Sequence, residues 1–300
     1  MGRSPTNGTS AATRTIQALR LLATIVTAAG CARAGTGGGG AVAGAPAPGS
    51  FDVAYAPTGP EQLPDAILGK APAPRGHDVA YFSADPATRG YLAVPQRTPA
   101  SGVILVHEWN GLNDRVRQVA DALAAEGYTV LAVDLFSGKT GSNPQENMAL
   151  VRQALGDSAR LIANLDAAAR FLRARPRATG KVATIGWCFG GGVALSYGLG
   201  GAHHEGTAMF YGRLLMDPAV LARMHHPLYG SFAAQDRGIP PDSVARFVEA
   251  LRAAGIRNDV HVYDDVGHGF WLWVDQDPAQ RTAPALDAWV RLKRYLGSVL

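Results

Sequence analysis

The sequence predicts an α/β fold, a mostly parallel sheet with helices on both faces, and three observations carry that prediction. Short continuous apolar runs recur along the chain: "SGVILV", "YTVLAV", "KVATIGW", "GTAMFYG" and "PLYGSFAA". Runs without polar alternation read as strands buried on both faces. Between them lie longer segments with apolar residues at helical spacing, the crossovers that parallel strands require. Finally, chemically active residues stand just past several strands: Glu108, Asp134, Cys188, Asp236 and His268. In open α/β sheets the functional groups collect at the carboxyl edge.

Taken in order, "HDVAYF" and "RGYLAVP" flank a turn at Asp85-Pro86 and read as an antiparallel lead-in. "SGVILVHE" is a buried strand, and "NDRVRQVADALAAEG" starts on Asn113 and Asp114, good helix caps, and continues at helical spacing. "YTVLAVDLF" is the next strand. "NPQENMALVRQALGDSARLIANLDAAARFLRAR" carries one long amphipathic helix or a bent pair. "KVATIGW" then runs into the helix "GGGVALSYGLG". "GTAMFYG", "PLYGSFAAQD" and "DVHVYDD" complete the strands, with "PDSVARFVEALRAAG" and "PAQRTAPALDAWVRLKRYLGSVL" as helices.

The 300 residues are 47% hydrophobic and 17% charged, enough for one large core or two small ones. The net charge is +4, but Arg3, Arg14, Arg20 and Arg33 lie outside the α/β pattern. The remainder is close to neutral and carries no nucleic-acid footprint. His203-His204 and His225-His226 lack i, i+4 spacing and read as surface or loop residues, so neither a metal nor a cofactor is expected.

Residues 1–31 have the shape of a lipoprotein-type signal: Arg14 and Arg20, an apolar run from Leu21 to Ala29, then Ala28-Ala29-Gly30-Cys31. The run falls short of the ~20 apolar residues that a membrane-spanning helix needs. The expectation is export to the periplasm or cell envelope, with Cys31 lipidated as a membrane anchor; ordinary signal cleavage near Cys31 is the other reading. Residues 32–74 begin with "ARAGTGGGGAVAGAPAPGS" and read as a flexible linker, which leaves residues 75–300 as the folded domain.

Gly186-Trp187-Cys188-Phe189-Gly190 is a G-x-C-x-G sequence at a strand-to-helix junction, a nucleophile elbow with cysteine in place of serine. The sharp turn needs glycines for close packing, and it sets the sulfur at a helix start whose amides favour a thiolate. Asp236 and His268 follow in the order nucleophile, acid, histidine, the order of α/β-hydrolase triads. Asp264 and Asp265 lie nearer His268 in sequence and could simply cap or solvate its loop; Asp236 follows a predicted strand and precedes Pro240-Pro241 and a helix, where an acid that orients a histidine belongs.

With "GWCFGG", "VHEWNGL", "DLF" and "GHGF", the chain resembles the dienelactone hydrolase family over about residues 75–298. The resemblance implies a small ester or lactone as substrate and a triad of Cys188, His268 and Asp236. It also implies a thiol-activating role for Glu108 and an oxyanion hole from the backbone amides of Trp109 and Phe189. Trp187 and Trp271 would join these two residues in walling an apolar pocket. Lys139 would stand near the first of two arginines that grip the substrate carboxylate in founding members; Leu272 replaces the second. Two other readings stay open, a non-catalytic ligand-binding member of the fold and a thiol-based redox sensor.

Overall fold

The computed structural model describes residues 61–300. The expected signal segment, with Cys31, and most of the expected linker lie outside the described residues. Eight strands form one sheet in the order β1-β2-β4-β3-β5-β6-β7-β8. They are β1 (His77–Val79), β2 (Gly90–Ala93), β3 (Ala100–Val106), β4 (Thr129–Val133), β5 (Ala178–Trp187), β6 (Gly206–Phe210), β7 (Leu228–Ala233) and β8 (Asn258–Tyr263). β1 and β2 pair antiparallel, β2 joins β4 antiparallel, and every pairing from β4 to β8 is parallel. The lead-in and the parallel sheet are as the sequence predicts.

Alternation along the strands divides the apolar runs between two layers. Val103, Leu105, Val130, Ala132, Ala183 and Ile185 face a core closed by α2 (Asp114–Ala125) and α8 (Pro278–Val299). Ile104, Val106, Leu131 and Val133 face the other side, under α3 (Pro144–Gly156), α4 (Ser158–Arg173) and α5 (Phe189–Gly200). Farther along that side, Met209, Leu228 and Phe232 pack under α7 (Pro241–Ala253), while the short α6 (Pro218–Leu221) links β6 to β7.

The segment after β4 is a bent pair. Gly156 ends α3, Asp157 leaves helical geometry at φ −126°, and its carboxylate accepts from the Arg160 amide at 3.0 Å to cap α4.

Two expectations need correction. Residues 61–74, read as the end of the linker, pack on the domain: Asp65–Leu68 forms a helix, α1, with Ile67 fully buried and Leu63 and Ala66 beside it in the core. Three apolar side chains among prolines make too short a signal to see in sequence, yet burying them against α2 outweighs the ordering cost.

The second correction is narrower: His204 and His226 are loop residues, as expected, but His204 is buried and His226 half-buried rather than on the surface. Each precedes a strand start, of β6 and β7, and because those strands are parallel neighbours the rings meet at 4.4 Å. His204 Nδ1 donates to the Ala202 carbonyl at 3.1 Å, so its Nε2 accepts from the Thr207 hydroxyl at 3.2 Å. That hydroxyl in turn accepts from His226 Nε2 at 2.9 Å. The chain is satisfied with both rings neutral. Burial, against the Ala202 bond, holds His204 down to about 4, and burial with the neighbouring imidazoles holds His226 down to about 3.

An unfolded histidine takes its proton near pH 6.5. The unfolded state therefore binds more protons as pH falls, and native stability declines from about pH 6.5 toward pH 4. The expected slope is about 1.4 kcal/mol per pH unit for each imidazole. Urea unfolding at stepped pH checks it: His226→Gln should reduce the slope, and an unchanged slope would remove this pair as its source.

Candidate active site

β5 ends at Trp187 and α5 begins at Phe189, so Cys188 occupies the turn alone, at φ 54° and ψ −118°. This strained conformation is held by its neighbours. A Cβ on Gly186 would lie 2.1 Å from the Gly190 carbonyl oxygen, and one on Gly190 would lie 2.4 Å from that of Val106. Both positions exclude a side chain. The Cys188 amide donates to the Phe210 carbonyl at 3.0 Å, tying the turn to β6. The Phe189 amide heads α5, where a helix leaves its first N–H groups without intrahelical acceptors.

His268 lies on the loop after β8 and Asp236 on the loop after β7, so the parallel pairing of those strands sets them side by side. His268 Nδ1 donates to Asp236 Oδ2 at 2.6 Å. The other carboxylate oxygen accepts from the amides of Gly238 at 2.9 Å and Ile239 at 3.3 Å. Burial opposes the charge on Asp236, yet the His268 bond and these amides keep its carboxyl below the usual range. Burial also opposes the imidazolium. The bond to Asp236 and a hydrogen bond with the Cys188 side chain outweigh it, and His268 is pushed up to about 10. Asp264 and Asp265 are exposed, and Asp236 is the acid that meets the ring.

Glu108 follows β3 and is 5% exposed. Burial raises its carboxyl above the ordinary value, against a hydrogen bond from Trp273 Nε1 to Oε2 at 2.8 Å. Its backbone is fixed by His107, which sequence reading passed over. The fully buried His107 ring donates from Nδ1 to the Glu108 carbonyl at 2.6 Å and accepts at Nε2 from the Leu135 amide at 3.2 Å. Asp134, also past a strand end, is a turn cap whose carboxylate accepts from the amides of Phe136 and Gly138.

Cys188, His268, Trp109 and Phe189 border one cleft of about 500 Å³. Its other walls are mainly apolar and come from elements that sequence reading did not assign to the site: Val151 and Leu155 of α3, Leu214 after β6, and Ile239. Met148 and Met216 stand at the cleft and are each 40% exposed. Tyr211, at φ 37°, packs edge to face on His268 at 4.8 Å.

Three expected pocket residues are elsewhere. Trp187 and Trp271 are fully buried and stack on each other at 5.4 Å in the core beneath α8. The reason is alternation: the residue before the elbow is still in the strand and faces the α8 layer. Lys139 is exposed in the turn around Gly138, with its amide on the Phe136 carbonyl, and does not border the cleft.

A strained strand-to-helix turn at the carboxyl edge of a mostly parallel sheet, with an acid and a histidine hydrogen-bonded beside it in that chain order, defines an α/β-hydrolase. The dienelactone hydrolase family model matches residues 88–300, and the chain belongs to that family. It is 30% identical over 229 residues to a Methylorubrum extorquens protein named "Putative carboxymethylenebutenolidase", covering 70% of this chain and 78% of that one. A protein of the same name from Escherichia coli K12 is 27% identical, over 68% of this chain and 80% of its own.

Among solved structures, a dienelactone hydrolase-like promiscuous phosphotriesterase from metagenomic libraries aligns with a TM-score of 0.66 at 24% identity, covering 76% of this chain and 99% of that chain. A thermophilic esterase from Thermogutta terrifontis aligns at TM-score 0.55 and 14% identity, over 75% and 94%. These two likenesses are of fold. The chain is a dienelactone hydrolase-like hydrolase.

Proposed function

We propose that the protein hydrolyses a small, predominantly apolar carboxylic ester or lactone through an acyl-thioester on Cys188. The observation that carries this reading is the hydrogen-bonded Asp236–His268 pair at the mouth of the cleft that holds Cys188.

In this reading Glu108 accepts the proton of the Cys188 thiol, since burial makes this carboxylate more basic than an ordinary one, while the bond to Asp236 favours the imidazolium on His268. The thiolate adds to the carbonyl carbon, and the amides of Phe189 and Trp109 receive the oxyanion. The C–O bond breaks as the His268 imidazolium protonates the leaving alkoxide. Neutral His268 then takes a proton from water, the hydroxide adds to the thioester, and the C–S bond breaks to release the acid. Glu108 returns its proton to the sulfur, and the chain is restored.

A screen of short p-nitrophenyl esters and neutral lactones tests the substrate class, with Cys188→Ala as the blank. Turnover of neutral substrates above the blank supports it. Turnover confined to substrates bearing a carboxylate contradicts the apolar reading. Export and lipidation at Cys31 are proposed from the leader sequence alone; the mass of the mature N-terminal peptide is the check, and an unmodified Cys31 would refute the anchor.

A further inference from the structure

We propose that Trp273 is the positioning residue for Glu108, and that Arg115 and helix α1 fix Trp273 from outside the cleft. The proposal rests on the activating role given to Glu108 above. Glu108 is a nearly buried carboxylate, and its Oε2 accepts from Trp273 Nε1 at 2.8 Å. A neutral N–H donor suits this task. It favours the anion and fixes its direction without the full charge of an ion pair, which would suppress the basicity that thiol deprotonation needs.

An indole has one donor in the plane of its ring, so fixing the ring fixes the donor. Three groups do so. The Arg115 guanidinium lies 4.8 Å above the indole and is itself mostly buried. Its Nη1 donates to the carbonyl of Leu272 at 2.9 Å, and Arg281 Nη1 donates to the carbonyl of Trp273 at 2.7 Å. The backbone is thus gripped at two consecutive residues, and the ring on one face.

Arg115 reaches farther. Nη1 also meets the carbonyls of Ala66 at 3.1 Å and Ile67 at 3.3 Å, while Nη2 pairs with Asp275 at 2.8 Å. The two α1 carbonyls are among those a helix leaves unpaired at its C-terminal end. Gly69, the left-handed cap of α1, packs so closely on Asp275 that a Cβ there would lie 2.7 Å from its carboxylate. One guanidinium therefore joins α1, the Trp273 loop and α2. The segment that precedes the sheet is part of the support for the activating carboxylate.

The test is the pH dependence of kcat/KM for a neutral p-nitrophenyl ester, measured on the full chain. Glu108 must be ionised to accept the thiol proton, so its titration sets the acid limb. Trp273→Phe keeps a ring beneath Arg115 but removes the donor. Its acid limb is expected to move up by about one pH unit, an about ten-fold loss on that limb, with the plateau largely retained. Arg115→Lys keeps the charge but cannot reach all four oxygens at once, and should move the limb the same way by less.

Because Trp273→Phe disturbs packing, β-(3-benzothienyl)alanine at position 273 gives a second variant, in which sulfur replaces the N–H within the same outline. The carboxyl stretch of Glu108, followed by isotope-edited infrared spectroscopy, reports its titration directly. An acid limb that coincides with wild type, or a loss that is uniform across pH, overturns the proposal. If Glu108→Gln leaves the acid limb in place, the activating role itself fails. If Glu108→Gln abolishes the limb while the Trp273 variants leave it unmoved, only the positioning role falls.

Discussion

Cys188→Ala is expected to lower kcat/KM for short p-nitrophenyl esters by at least about a thousand-fold while leaving the fold in place. The fold should survive because the elbow is held by groups the substitution spares: the Cys188 amide on the Phe210 carbonyl, and the contacts of Gly186 and Gly190. On the proposed mechanism no acyl-enzyme forms without the sulfur, and the polarised cleft alone supplies only residual catalysis. Cys188→Ser is the informative companion. It retains an oxygen at the same strained position, but a buried carboxylate that can deprotonate a thiol is a poor base for an alcohol, so serine is expected to recover little of the loss. Activity near wild type in Cys188→Ala, with an unchanged thermal transition, would exclude a cysteine mechanism.

Asp236→Asn is expected to reduce kcat by about 10²–10⁴-fold and to move the alkaline limb of the pH profile downward. The sign follows from the partners. His268 is raised to about 10 by the bond to Asp236 and by Cys188, against the effect of burial. In the wild type the bond to Asp236 thus extends the imidazolium that protonates the leaving group to higher pH. A neutral amide at position 236 no longer favours the imidazolium, so its proton is lost at lower pH. The two carboxylates are separable on this account: Asp236 sets the alkaline limb and Glu108 the acid one. Asp236→Asn with its alkaline limb unmoved would show that Asp236 does not support the charge of His268.

The fold and the centre of the site were legible because their signals are local. A buried parallel strand announces itself in six or seven consecutive apolar residues, and the elbow in five, so Cys188, Asp236 and His268 could be set at strand ends from sequence alone. The strand-end position of Asp236 points to it over Asp264 and Asp265, and the pairing of β7 with β8 carries its loop into contact with that of His268. What escaped depends on contacts between distant elements. His107 reads as one more residue at a strand end until its ring is seen bridging Glu108 and Leu135. Trp187 and Trp271 look like pocket aromatics beside Cys188 and His268, but each packs in the α8 layer of the core. His204 and His226, some twenty residues apart, meet because their strands are neighbours. Arg115 is one of several polar residues on an amphipathic helix, and α1 is four residues long; neither has a local pattern that marks its role.

The most direct measurement is the intact mass of the full chain quenched within the first turnovers of a p-nitrophenyl ester, followed by peptide mapping. The expected result is a stoichiometric mass increase equal to the acyl group, carried by the peptide containing Cys188 and released by hydroxylamine, as a thioester is. Turnover with no adduct under conditions where the burst of p-nitrophenol is complete, or an acyl group mapped to any other residue, would contradict it.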